Sequence, residues 1–193
     1  LAAMLLTHDA FAYLLLPLLA VWVIAIALDA HNARAAWRGV WALGLGIGLA
    51  AFFWLPSILE RGNVQFGRVL SYRYSASFVS PAYLLEPPRA VDASLLNPWL
   101  PKGIGLLPAL GMGCAVPVLV ALRRKDGFWR LFILGMTTLG YLWLVTPAAA
   151  WFWQLVPQLA FLHFPWRFLS PAAVGVAALA GIGCGWLARR WLP

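Results

Sequence analysis

The run Ala10-Phe-Ala-Tyr-Leu-Leu-Leu-Pro-Leu-Leu-Ala-Val-Trp-Val-Ile-Ala-Ile-Ala-Leu28 carries no charged side chain. A bilayer core of about 30 Å takes roughly 20 residues of helix, so this stretch is long enough to cross one. It is also too long for the apolar region of a signal peptide and should persist as a span. Four more uncharged runs follow: Gly39–Leu59, Gly103–Leu122, one beginning at Leu131, and Phe168–Ala188. A single charge at mid-membrane costs about 2.5–3.5 kcal/mol on the insertion scale, so five clean windows in one chain carry weight. Composition agrees. The chain is 63% hydrophobic and 10% charged, against about 45–50% and 25% for a soluble domain. A water-soluble fold, intrinsic disorder, a collagen-like repeat and a disulfide scaffold (two cysteines only) are excluded. The expected class is all-α: a polytopic transmembrane helical bundle forming a single domain over 1–193.

The fourth run stays uncharged from Leu131 to Leu162, short of the roughly 40 residues plus a turn that two crossings need. One crossing is expected over 131–147, with Pro147 breaking the helix. Trp151, Phe152, Trp153 and Phe161 then mark an interfacial or re-entrant segment over 148–167. The expected spans are therefore about 10–28, 39–59, 103–122, 131–147 and 168–188, with a long loop over 60–102.

The net charge of +8 does not point to nucleic acid, because the basic residues fall between apolar spans. Arg34 and Arg38 follow span one, Arg123, Arg124, Lys125 and Arg130 separate spans three and four, and Arg189 and Arg190 follow span five. Basic residues in short connections face the cytoplasm. Alternation then puts 1–9, the loop 60–102 and 147–167 outside. Leu1-Ala-Ala-Met-Leu-Leu reads as the tail of an earlier apolar helix, so the sequence is expected to be the C-terminal part of a larger membrane protein.

Several motifs read as packing rather than chemistry. Gly44/Gly48 and Gly181/Gly185 have small-xxx-small spacing inside apolar spans, which predicts close helix contacts in place of a phosphate cradle. Cys114 and Cys184 read as small buried thiols within spans. His8, His31 and His163 share no metal-ligand spacing, so no metal is expected. Pro17, Pro56, Pro108 and Pro117 are expected to kink membrane helices.

Candidate chemistry sits at the external helix ends. His8 and Asp9 precede span one, Glu60 follows span two, and His163 and Arg167 precede span five. Asp9, Glu60 and His8 are the candidate general acid–base groups. In Phe164-Pro165-Trp166-Arg167-Phe168 the proline fixes a turn, Trp166 sits at headgroup level, and the Arg167 guanidinium can meet phosphate oxygens bidentately. In the loop, Arg73 between Tyr72 and Tyr74 could contact sugar or phosphate, and Phe78, Leu84 and Leu85 suit a segment lying on the bundle rim.

The phrases Thr7-His8-Asp9, Phe53-Trp54-Leu55-Pro56-Ser57-Ile58-Leu59-Glu60-Arg61, Phe78-Val79-Ser80-Pro81 with Leu84-Leu85, and Phe164-Pro165-Trp166-Arg167-Phe168-Leu169 resemble a known family. They look like bacterial multi-pass membrane proteins carrying a 6-pyruvoyl-tetrahydropterin-synthase-related domain. That family is similar in turn to C-type integral membrane glycosyltransferases. A pterin synthase proper is soluble and holds zinc on histidines, neither of which this sequence offers, so no cofactor is expected. The glycosyltransferase resemblance implies sugar transfer from a polyprenyl-phosphate donor at the outer face of the bacterial inner membrane. It implies an acidic base in a first external loop, upstream of Leu1, and external arginines on the donor phosphate, a role that only Arg167 matches by position. Arg167, Arg73, His163 and Trp166 are the expected substrate contacts, and membrane lipids and a polyprenyl-phosphate-linked sugar the expected partners. The alternative is a non-catalytic membrane component, a transporter half or a scaffold for envelope polymer assembly. The absence of charge within the spans counts against transport and leaves the scaffold open.

Overall fold

In the computed structural model the apolar runs fold as helices, with no strand among the described residues, which are 1–7, 9–30, 33–60, 63, 74–87, 89–91, 94–96, 101–123 and 125–191. Helix α1 (Ala2–Thr7) leads into α2 (Asp9–Ala30), and α3 (Ala33–Leu49) returns along α2. Gly39 permits this return, because a Cβ there would lie 2.5 Å from a Val23 methyl.

The run 39–59, expected as one helix, is divided at Ala50 into α3 and α4 (Ala51–Leu59). Ala50 is fully buried there. Its N–H and the Trp54 indole N–H both donate to the Ile47 carbonyl, at 3.2 and 3.0 Å, so the broken turn keeps its polar groups satisfied. Leu5 of α1 packs into this elbow beside Ala50 and Trp54.

The run 103–122 is divided as well, into α6 (Leu106–Gly113) and α7 (Ala115–Ala121). Pro117 supplies the cause: it has no N–H for the Gly113 carbonyl, and its ring crowds that oxygen, so the helix breaks at Cys114. Pro108, by contrast, lies in the first turn of α6, where its missing N–H costs nothing.

Helix α8 (Phe128–Leu144) ends where the break was expected. The axis turns by 93° into Pro147–Leu155, which contains α9 (Ala150–Leu155). The last carbonyls of α8 would be orphaned by this turn, yet each finds a donor. The Trp143 carbonyl accepts from the Thr146 hydroxyl at 2.8 Å, that of Leu144 from the Trp153 indole at 3.0 Å, and that of Val145 from the Val79 N–H at 2.9 Å. Helix α10 (Leu169–Trp191) completes the chain of elements.

The main core lies at this end of α8. Trp153, 1% exposed, is its largest fully buried side chain. It stacks on Tyr74 at 5.2 Å and meets Phe78 and Phe168 edge-on at 5.9 and 6.1 Å. Val79 and Leu84, from the long loop and from α5 (Pro81–Leu85), join it. This part of the loop is therefore core, not rim. Tyr74, Phe78, Val79 and Leu84 fill the space left by the 93° turn, while Leu85 stays exposed.

Helices α2 and α8 run antiparallel and are tied at both ends, by the Tyr141 hydroxyl donating to the Leu14 carbonyl and by Asp29 on Arg130. Helix α10 lies against α8 in the opposite sense, Gly175 facing Thr138. It runs parallel to α6 and α7, with Ala180 against Gly111 and Gly183 against Cys114. A Cβ on Gly183 would sit 2.3 Å from the Cys114 carbonyl carbon. The glycines picked out by spacing are not the ones in close contact: among the described residues a Cβ on Gly44, Gly48, Gly181 or Gly185 would meet no neighbouring element within 4 Å, whereas one on Gly183, Gly175 or Gly39 would. Nor are the two thiols buried: Cys114 is half-buried and Cys184 exposed, because the contact face of α10 is the one that carries Gly183. Spacing of four marks one face of a helix but does not say which face meets a neighbour.

Among the described residues one stretch, Pro165–Arg190, is by itself long and apolar enough to cross a membrane. The pair Phe128–Leu144 and Pro147–Leu155 passes the same test if the bend is counted as one span. Leu14–Ala30 and Leu106–Ala121 are shorter apolar helices.

Candidate functional site

The Phe-Pro-Trp-Arg-Phe motif forms a single 3-10 turn, Pro165–Phe168, immediately before α10. Pro165 forces Phe164 into extended backbone (φ −125°, ψ 111°) and starts the turn at its first position. Pro165 and Phe168 point into the core, while Trp166 and Arg167 are half-buried. The Arg167 N–H closes the turn on the Phe164 carbonyl at 3.0 Å.

Two cations and two rings meet here. The Arg167 guanidinium lies over the Phe164 ring at 5.6 Å, and Phe164 packs against Trp166 at 5.3 Å. Lys102 Nζ lies over the Trp166 ring at 5.6 Å. Each cation–π contact contributes about 0.5–1 kcal/mol at such exposure and fixes the position of the charge. Lys102 is held by its own surroundings. The Ile104 and Gly105 N–H groups donate to the Leu84 carbonyl at 2.8 and 3.2 Å, and a Cβ on Gly103 would lie 2.5 Å from the Glu86 carbonyl oxygen. Gly105 (φ 82°) makes the turn from this segment into α6.

His163 stands at the edge of the row in the left-handed region (φ 59°), and the Phe164 N–H donates back to the Leu162 carbonyl at 2.6 Å. This tight three-residue turn costs on the order of 1–3 kcal/mol, and such strain concentrates at functional sites. The row Lys102–Trp166–Phe164–Arg167 is thus an electropositive, aromatic surface at the start of α10. Two fixed cations of this kind suit phosphate oxygens, and the rings suit the apolar part of an amphipathic ligand. A cleft between Leu18, Tyr141, Pro171 and Gly175 holds about 110 Å³, well below the roughly 300 Å³ of a ligand pocket.

His163, Trp166 and Arg167 come together. Glu60 is exposed at the end of α4, whose Trp54 packs on Leu5 and Ala50. His8 and Arg73 lie outside the described residues, as does the side chain of Asp9. Lys102 was missed by the sequence reading. Only a basic residue just before an apolar run hinted at it.

Asp29 was missed too. Its side chain, 5% exposed, accepts from the Trp129 and Arg130 backbone N–H groups at 3.0 and 3.2 Å and from Arg130 Nε at 2.7 Å. It therefore caps α8, whose own N-cap, Gly127 (φ 90°), has no side chain to do so. Burial pushes the carboxyl pKa up, but the Arg130 hydrogen bond, the two backbone N–H groups and the guanidinium charge outweigh it and hold the group below its usual value. The available signal was an acidic residue standing alone between an apolar run and the basic Arg34 and Arg38.

No protein-family model, curated protein or solved structure matches this chain.

Proposed function

We propose that the chain is a polytopic bacterial inner-membrane protein that handles a polyprenyl-phosphate-linked sugar at the outer face, in the manner of C-type glycosyltransferases. The observation that carries this reading is the row in which Lys102 and Arg167 are fixed on the faces of Trp166 and Phe164. Arg167 holds the phosphate, Lys102 adds the second charge, and Trp166 meets the prenyl chain near the headgroup level. The membrane part of the reading is supported by large apolar side chains left outside the core, among them Leu49 (70%), Phe52 (73%) and Leu107 (82%), which suit contact with lipid. It is also supported by the sense of the helices: α2 antiparallel to α8, and α10 parallel to α6 and α7, as five alternating crossings require.

The test is retention of polyprenyl phosphate by the purified protein. Arg167→Ala should weaken it about 10- to 100-fold, the value of a charge-assisted hydrogen bond, while loss of the contact with Phe164 lowers the melt by roughly 1–4 °C. Equal retention by the variant would remove the phosphate role. The exposure of Glu60 at the end of α4 favours the second reading, a scaffold for envelope polymer assembly. Retention without transfer, in a protein that includes the upstream spans, would favour that scaffold.

A further inference from the structure

The opposite end of the helices carries an excess of positive charge. The Asp29–Arg130 contact joins the end of α2 to the start of α8, and Leu122, Leu131 and Trp186 pack in one cluster with Leu179. Three chain segments far apart in sequence therefore share this end. Arg34 and Arg38 lie in the first turns of α3, Arg123 and Lys125 in the α7–α8 turn, and Arg189 and Arg190 in the last turn of α10. Arg130 is neutralised by Asp29, which leaves Asp126 as the acidic residue of the α7–α8 turn.

Tryptophans lie beside these cations. Trp37 (62% exposed) and Trp41 (56%) meet edge-to-face at 5.7 Å, one residue past Ala36 and three past Arg38. Trp129 (40%) flanks the α7–α8 turn, and Arg190 lies over Trp186 at 4.1 Å. A soluble polyanion such as RNA would neutralise the arginines and leave the apolar indoles in water. A phospholipid surface satisfies both, taking charge at the headgroup and the indoles just beneath it.

We propose that this end is a docking surface for anionic phospholipid headgroups, in which the six cations bind phosphate and the exposed tryptophans set the depth. The inference rests on the membrane reading above, and the experiment separates the two. The protein is reconstituted in nanodiscs of phosphatidylglycerol and phosphatidylcholine in equal parts, and lipid retained after mild release is counted by native mass spectrometry. Membranes from expressing cells are extracted at alkaline pH in parallel. Phosphatidylglycerol should be enriched, about fivefold for each arginine engaged. The enrichment should fall with rising salt and in R34Q/R38Q/R189Q/R190Q, and it should be restored by the corresponding lysine variant. Equal retention of the two lipids, an unchanged quadruple variant, or displacement of phosphatidylglycerol by inorganic phosphate or by polyadenylate would each overturn the proposal. Release of the protein by alkaline extraction would instead sink the membrane reading itself.

Discussion

Replacing Asp29 tests how the antiparallel helices α2 and α8 are joined. The carboxylate is nearly buried and makes three hydrogen bonds, two of them to the first turn of α8. Loss of a helix cap costs about 1 kcal/mol. The ion pair adds at most about 1 kcal/mol, because the Arg130 side chain is 50% exposed and solvent screens it. Leaving two poorly hydrated N–H groups without an acceptor adds a similar amount. Asp29→Ala should therefore destabilise by about 2–3 kcal/mol. For a chain of this size that lowers the melting temperature by roughly 4–10 °C in detergent. Asp29→Asn keeps one acceptor oxygen and should lose about half as much. The pH dependence has a definite sign. The folded-state pKa lies below the ordinary value, so the stabilisation is fully present above about pH 4 and is lost as pH falls through the folded value. The gap between wild type and Asp29→Ala should stay constant from pH 5 to 8 and close only in stronger acid. Coincident melts at neutral pH, or a gap that closes between pH 7 and 5, would refute the capping argument.

The other expectations concern packing. Gly183→Ala should destabilise by about 1–3 kcal/mol, since its Cβ meets Cys114 backbone, whereas Gly181→Ala and Gly185→Ala should be neutral or mildly stabilising. If all three melt alike, α10 does not approach α6 and α7 as described. Trp153→Phe keeps most of the ring but removes the N–H on the Leu144 carbonyl, and should cost about 1–3 kcal/mol. A melt shifted by less than 1 °C would show that another donor serves that carbonyl.

The helical class and the break at Pro147 were legible because both depend on local properties, apolar run length and a missing N–H. The division at Cys114 lies where Pro117 was expected to kink a helix, yet Pro17 sits inside the unbroken α2, so a proline alone does not decide which helix divides. The contacts were less so. Gly183 and Gly181 are identical as letters, and only the side from which α6 arrives separates them. Tyr74, Phe78 and Leu84 read as a rim because nothing local says that the turn after α8 leaves a hole to be filled. Of the candidate site, the contiguous His163-Phe-Pro-Trp-Arg167 could be read directly. Lys102 could not, since it reaches Trp166 only after Gly103 and Leu84 have set the path of its segment. Asp29 was hidden for the same reason: the first amide it caps, that of Trp129, lies 100 residues further on.

That separation has a consequence during synthesis. At about 5–20 residues per second, Asp29 leaves the ribosome some 5–20 s before Trp129 and Arg130 exist to receive it. Through that interval its carboxylate needs water, which keeps the end of α2 at a wet boundary while the intervening segments are made. The start of α8 is thus secured by a group already waiting, and the order of emergence, early acid then late amides, makes docking of the fourth apolar run the step that removes this charge from solvent.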